Sequence, residues 1–284
     1  MSSEPDRGRE ASGKAMDSLD RFSALPDDAL CPARVSLAVS AAQIPGRSLP
    51  RYESALDALA ADMPLAVDAP FPEEARVAVG RALFTVAGYR SLPAPTDTNG
   101  HPDNSNMIRV MDERAGSPAA LAVLGHHVLR TAGWAARILD CAGRLIVRIG
   151  PALLIDVAED CRVLQAPDLR RLVKAQRGPQ AELSATFYTP LSNREIVLAL
   201  FNPVKFRLIA DEEYESARGL STALRRIAPG EYRLLLDHGI LCLRTNDGPG
   251  ARESLTQYVR RAPPGADRDE ALFLLGTIGE AVDS

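Results

Sequence analysis

Apolar positions along this 284-residue chain first recur at helical spacing, then alternate in short runs, then return to helical spacing. Residues 1–24 carry no such pattern. They are rich in Ser, Asp, Glu, Arg and Gly, a composition expected to stay disordered. From Ala29 the pattern turns helical: Val35, Leu37, Val39 and Ala42 begin one helix, which Pro45-Gly46 ends. Tyr52, Leu56, Leu59 and Met63 mark a second. Pro72-Glu73-Glu74 places proline and acid at a helix start, where the dipole favours them. Val77, Val79, Leu83, Phe84 and Val86 follow, and Gly88 ends that run. Residues 92–105, with Pro, Thr, Asp, Asn and Gly, read as a loop. Ser117-Pro118 then supplies a cap and a first-turn proline for a central helix reaching about Arg130. This helix is apolar all round from Ala119 to Leu124, which predicts burial on every side. Short runs at 137–141, 144–149, 152–157 and 162–164, separated by Ala142-Gly143 and Gly150-Pro151, predict an antiparallel meander. Residues 184–189 are expected to add an edge strand, and 167–174 a short helix.

At Ser192 the texture changes. Ser192-Asn193-Arg194-Glu195 fits a capping box, with Ser followed three residues later by Glu. Ile196, Val197, Leu200, Phe201, Val204 and Leu208 give the helix an apolar face, which Pro203 is expected to kink. Beyond it the chain repeats. Ala217 and Ala251, Arg218 and Arg252, Ala228 and Ala262, and Pro229 and Pro263 match at one constant offset, equal to the ~34-residue period of tetratricopeptide helix pairs. Stacked repeats of that kind bury apolar faces against neighbours and bind peptide segments on their concave side. A final helix is expected at 269–281.

Composition narrows the function. Hydrophobic residues make up 46% and charged residues 25%, ordinary globular usage with material for a sizeable core. The formal net charge of −4 offers no basic field for nucleic acid or an anionic membrane. No apolar run approaches the ~20 residues of a membrane helix, and the N-terminal stretch lacks the apolar core of a secretory signal. The expected location is therefore cytoplasmic. Cys31, Cys141, Cys161 and Cys242 are scattered without metal-ligand spacing and are expected to be free thiols. No phosphate-binding or dinucleotide-binding glycine motif occurs, so no cofactor is implied.

Several motifs, taken in order, resemble the SirB-type proteins, in which a transglutaminase-like core precedes tetratricopeptide repeats. They are Phe84 with Gly88-Tyr89-Arg90, Asn104-Ser105, Arg114-Ala115-Gly116-Ser117-Pro118, Asn193-Arg194-Glu195, and Asp237-His238-Gly239 where members carry Asp-Arg-Gly. The resemblance covers roughly residues 30–282. It implies an α+β fold, with N-terminal helices, a papain-like helix-and-sheet core and a C-terminal helical repeat. The expected divisions are a tail at 1–24, a transglutaminase-like domain at 25–191 and a tetratricopeptide-like domain at 192–284.

In catalytic relatives of that wider superfamily a cysteine opens the central helix, a histidine on the sheet acts as base, and an aspartate on the next strand orients it. Carried across by position, these become Ala120, Arg144 and Asp156. A methyl group cannot attack a carbonyl, and a guanidinium with pKa above ~12 cannot take a proton near neutrality. Acyl transfer by the usual thiol mechanism is not expected, and whether the chain is an enzyme stays open. Arg144 has two readings: an ion pair with Asp156, or a fixed cation that binds a small anionic ligand in the cleft. A third candidate is thiol chemistry at Cys141, three residues before Arg144. His126-His127 cannot chelate jointly, because adjacent helical residues diverge by about 100°. His127 stands ~10 Å along the axis from Ala120 and reads as structural. Cys31 and Cys242 read as core. Tyr214, Tyr232 and His238 are the candidates for contact with a protein or peptide partner in the repeat. The expected function is a non-catalytic scaffold or regulatory protein with a degenerate transglutaminase-like core and a peptide-binding helical repeat; the alternative is a biosynthetic enzyme that reuses the cleft at Arg144 and Asp156 for a carboxylated or peptide substrate.

Overall fold

The computed structural model describes residues 15–44, 46–66 and 71–282, with side chains through residue 278. Of the tail expected at 1–24, residues 1–14 lie outside the described residues, as does Pro45 at the expected end of the first helix. Residues 15–23 are helical (α1), and Ala15 and Leu19 are buried, which corrects the expectation of disorder there. The few apolar anchors of α1 gain their order from tertiary contact, which a composition argument cannot register.

A 3-10 turn at Asp27–Ala29 leads into α2, Pro32–Gln43. Next come α3, Leu49–Ala58, and α4, Pro72–Gly80, which continues as a π-helical turn at Arg81–Val86. The short strand β1, Arg90–Ser91, is followed by α5, Met107–Glu113, and β2, Ala115–Gly116, and the two strands pair in parallel. The central helix α6 is Pro118–Thr131, and all of its residues from Ala120 to Leu129 are buried. Burial on every side is what its unbroken apolar sequence demands.

The sheet follows as β3, Ala136–Cys141, β4, Arg144–Ile149, β5, Leu153–Asp156, and β6, Arg162–Val163. Its order is β3-β4-β5-β6, antiparallel throughout, as the turn signals require. The strands are nearly continuously apolar because both faces are covered. Ile138, Leu145, Val147 and Ile149 join the principal core with α6. Leu139, Cys141 and Ile146 face the other way, against Leu169 and Val173 of α7, Ala166–Arg177. Residues 184–189 are not an edge strand. They form a 3-10 turn at Ala185–Tyr188 whose Phe187 fills that second core, and the only ladder contact beside it is a bridge from Leu139 to Pro190. Proline has no N–H to extend the ladder.

The remaining helices are α8, Asn193–Ala210, α9, Tyr214–Ile227, α10, Arg233–Arg244, α11, Gly248–Arg261, and α12, Ala266–Val282. α8 runs through Pro203 as one element. α11 begins and ends 34 residues after α9, so the offset seen in the sequence is a spacing of helices. Gly239 of α10 permits their close packing, since a Cβ there would stand 2.7 Å from the Leu255 side chain of α11. The principal core does not stop at the division expected at 191/192. It takes in Ile196, Phe201 and Val204 of α8 and Leu220 and Leu224 of α9, while α10 to α12 share a further core around Leu235, Leu255 and Tyr258.

Polar ties cross the same division. Asp27 accepts from the backbone N–H groups of Asn193 and Arg194 at 2.8 and 2.9 Å, capping α8 from outside, while Ser192 and Glu195 complete the capping box predicted from sequence. The Arg194 guanidinium donates to the carbonyls of Ser23, Leu25 and Ile227 at 3.1, 2.7 and 2.8 Å. It thereby joins the end of α1, the start of α8 and the end of α9. Lys205, fully buried in α8, is paired with Asp237 of α10 and donates to Asn202 at 3.0 Å. Arg194→Ala leaves these three carbonyls without their donor, so a loss of about 2–4 kcal/mol is expected in urea unfolding. Arg226→Ala, which breaks an exposed pair with Asp20, should cost under about 1 kcal/mol. Equal effects of the two would show that Arg194 is not a tie.

Candidate functional site

The positions that resemblance assigns to chemistry sit where helix and sheet meet. Ala120 lies in the first turn of α6, fully buried, and its N–H is accepted by the capping Ser117 hydroxyl at 3.3 Å. Ser117 in turn shares a 2.7 Å hydrogen bond with the Ser105 hydroxyl. The space around the methyl is filled: a Cβ at Gly116 would meet Val110 at 2.8 Å and Ala120 at 3.4 Å. A thiol would find neither a base nor an opening there.

Arg144 and Asp156 are brought together. The guanidinium Nε donates to Asp156 Oδ2 at 2.8 Å, and a terminal nitrogen of Arg144 lies 2.7 Å from the same oxygen. The other carboxylate oxygen accepts from the Ala158 N–H at 3.1 Å, capping the short turn Val157–Glu159. Glu159 stands 3.8 Å from Arg144 as a second, weaker partner. Asp156 is only 2% exposed. Its burial pushes the carboxyl above the ordinary aspartate value, and the Arg144 charge pulls it back only part of the way. Of the two sequence readings of Arg144, the structure places the ion pair. The cavities found elsewhere include one of about 1170 Å³ beside α3, α4 and α5, lined by Tyr52, Val77 and Met111. Five cavities among the described residues are lined by side chains other than those of Ala120, Arg144 and Asp156.

Cys141 is buried in the smaller core, 4.0 Å from the Leu169 carbonyl. Burial first, and Asp140 second, raise its thiol above the ordinary value, the reverse of what a nucleophile needs. Tyr214 is half-buried beneath the Arg244 guanidinium, and Tyr232 packs on Tyr258 with ring centroids 5.9 Å apart. His238 is turned inward. Burial, with Arg225 and Arg218 nearby, lowers its imidazole to about 4. No cluster of His, Cys, Asp and Glu among the described residues could hold a metal ion.

One contact was not foreseen. Cys31 Sγ lies 3.4 Å from His127 Nδ1. The two are 96 positions apart on different helices, and no local spacing pairs them. Cys31 was expected in the core and is only partly buried. The available signal was its place just before Pro32, at the opening of a helix.

A family model described as the transglutaminase-like superfamily matches residues 50–202. Two similar proteins are both called UPF0162 protein. The one from Xylella fastidiosa strain 9a5c is 27% identical over 192 residues, covering 66% of this chain and 67% of that protein. The one from strain Temecula1 is 25% identical with the same coverage. No solved structure matches the chain. No helix among the described residues is long and apolar enough to cross a membrane.

The buried pair has a testable sign. A carboxyl raised in the folded state gives stability that is present below its ordinary value of 3.8 and lost as pH rises through the folded value. Arg144→Ala removes what holds the shift down, so Asp156 rises further. Its deficit against the unaltered chain should be about 2–4 kcal/mol near pH 7 and shrink as Asp156 takes its proton on acidification. Urea unfolding across that range is the measurement, and adding Asp156→Asn should recover much of the neutral-pH loss. A deficit independent of pH would show that Asp156 is not left as an unpaired charge.

Proposed function

The chain belongs to the transglutaminase-like superfamily, and from that premise we propose that its inherited acyl-transfer centre has become a non-catalytic structural joint in a partner-binding scaffold of the SirB type. The observation that carries this reading is the Arg144–Asp156 pair. Where an imidazole would stand between thiol and carboxylate, a permanent cation is locked onto the buried acid, and the helix start beyond it ends in a methyl group. The two groups are held by hydrogen bonds to one another, and the carboxylate also by the Ala158 N–H.

The C-terminal helices are then the working surface. The 34-residue spacing of α9 and α11 supports a tetratricopeptide-like pair of hairpins, and such hairpins hold extended or helical peptide segments. Tyr214 and Tyr232, both partly exposed, are the contacts assigned to that partner, whereas His238 is too deeply placed to serve. The protein works in the cytoplasm on this reading. An enzyme that reuses Arg144 and Asp156 is the weaker alternative, because their hydrogen bonds are spent on each other and on Ala158.

In-cell cross-linking of the full chain tests this. A specific protein partner should be captured, with recovery falling on the order of tenfold in a Tyr214→Ala/Tyr232→Ala variant and staying unchanged in Asp156→Asn. Turnover of a peptide or carboxylated substrate that Asp156→Asn abolishes, with the fold intact, would overturn the proposal.

A further inference from the structure

A second place in the fold has the parts that the inherited centre lacks. Cys31 is the N-cap residue of α2, and no side chain there accepts from the first-turn N–H groups. Pro32 has no N–H to offer. The N–H groups of Ala33 and Arg34 find no backbone acceptor either, so two donors at the positive end of a helix remain free beside the thiol. Two such donors can hold a developing oxyanion.

His127 enters from α6. It is only 5% exposed, its Nδ1 faces Cys31, and its Nε2 is buried without a hydrogen-bond partner, 3.8 Å from Asp57. Asp57 itself is gripped by Arg34 through two 2.8 Å hydrogen bonds. Burial holds the imidazole below its ordinary value despite Asp57, so near pH 7 it is neutral and free to accept a proton. Cys31 and His127 both line a cavity of about 330 Å³, which shares His126, Arg130 and Asn193 with a neighbouring one of about 250 Å³. Arg130 is exposed at this junction and has no carboxylate partner among the described residues.

We propose that Cys31 and His127 form a thiol–imidazole site that accepts acyl groups from small thioesters bearing a negative charge, with Arg130 as the anchor for that charge. The Cys31 thiol gives its proton to His127 Nδ1 as sulfur attacks the thioester carbonyl. The oxyanion is received by the N–H groups of Ala33 and Arg34. The bond from the carbonyl carbon to the departing sulfur then breaks, and that thiolate takes the proton from His127. The result is an acyl group on Cys31 and one free thiol. Water, deprotonated by His127, releases the acyl group as a carboxylic acid and restores the Cys31 thiol. This activity is independent of Ala120, Arg144 and Asp156.

The test uses the full chain with two probes, the succinyl and acetyl thioesters of N-acetylcysteamine, the first charged and the second neutral. Peptide mapping should place the acyl group on Cys31, with release of N-acetylcysteamine, and Cys31→Ser should abolish both. His127→Gln should slow acylation on the order of 10²-fold with the helical circular dichroism unchanged. Arg130→Gln, an exposed change, should raise the half-saturating concentration of the succinyl probe about tenfold and that of the acetyl probe far less. The proposal falls if native Cys31 reacts no faster than the same thiol in urea, or if the folded His127→Gln protein acylates at the original rate. An equal effect of Arg130→Gln on both probes removes Arg130 as the anchor.

Discussion

One arginine holds the N-terminal helices to the C-terminal ones. Arg194 stands at the first turn of α8, and its guanidinium is spread over carbonyls from α1's exit and from the last residue of α9. Asp27 completes the knot by capping the same helix, with its carboxylate 3.5 Å from the guanidinium. Carbonyls at helix ends must find donors or water, and a planar guanidinium can serve several of them at fixed angles. The consequence reaches further than stability. Asp27 opens the turn that delivers Leu30 and Cys31 to the start of α2, so the position of that thiol is tied to a hydrogen bond reaching 166 residues downstream in sequence.

The pair on β4 and β5 follows a related physical logic. A guanidinium satisfies a buried carboxylate well, since it brings two donors and a delocalised charge. The same carboxylate caps the turn after β5 through the Ala158 N–H. On the proposed reading, an acid kept for its turn and a guanidinium set beside it are two aspects of one local balance.

Much of the architecture could be read from periodicity alone. α6 was recognisable because a run apolar on every side can only be interior, and the meander because turn residues separate runs of strand length. The pair Arg144–Asp156 was likewise foreseeable, since β4 and β5 are antiparallel neighbours. What escaped prediction depends on tertiary contact. Residues 15–23 have too few apolar side chains to declare a helix, yet Leu19 is wholly buried. Residues 184–189 looked extended, but Phe187 is recruited into the core under α7 and Pro190 ends the ladder. The division at 191/192 followed a change of texture that packing ignores. The contact between Cys31 and His127 could not be read from local spacing, because neither helix encodes where the other will lie.

The central helix links the silent site to the proposed one. Ala120 and His127 occupy the same helix about two turns, or ~10 Å, apart. At one end of α6 the dipole is directed at a methyl group sealed by Gly116 and Val110. Further along, the helix presents an imidazole to the N-terminus of α2, where a different dipole bears on a different thiol. The elements that make cysteine reactive, a helix start, free backbone N–H groups and an adjacent neutral imidazole, are properties of secondary structure and can be assembled wherever two helices meet. A fold that has lost them at one end of its principal helix can hold them at a crossing of the same helix without any change to its core.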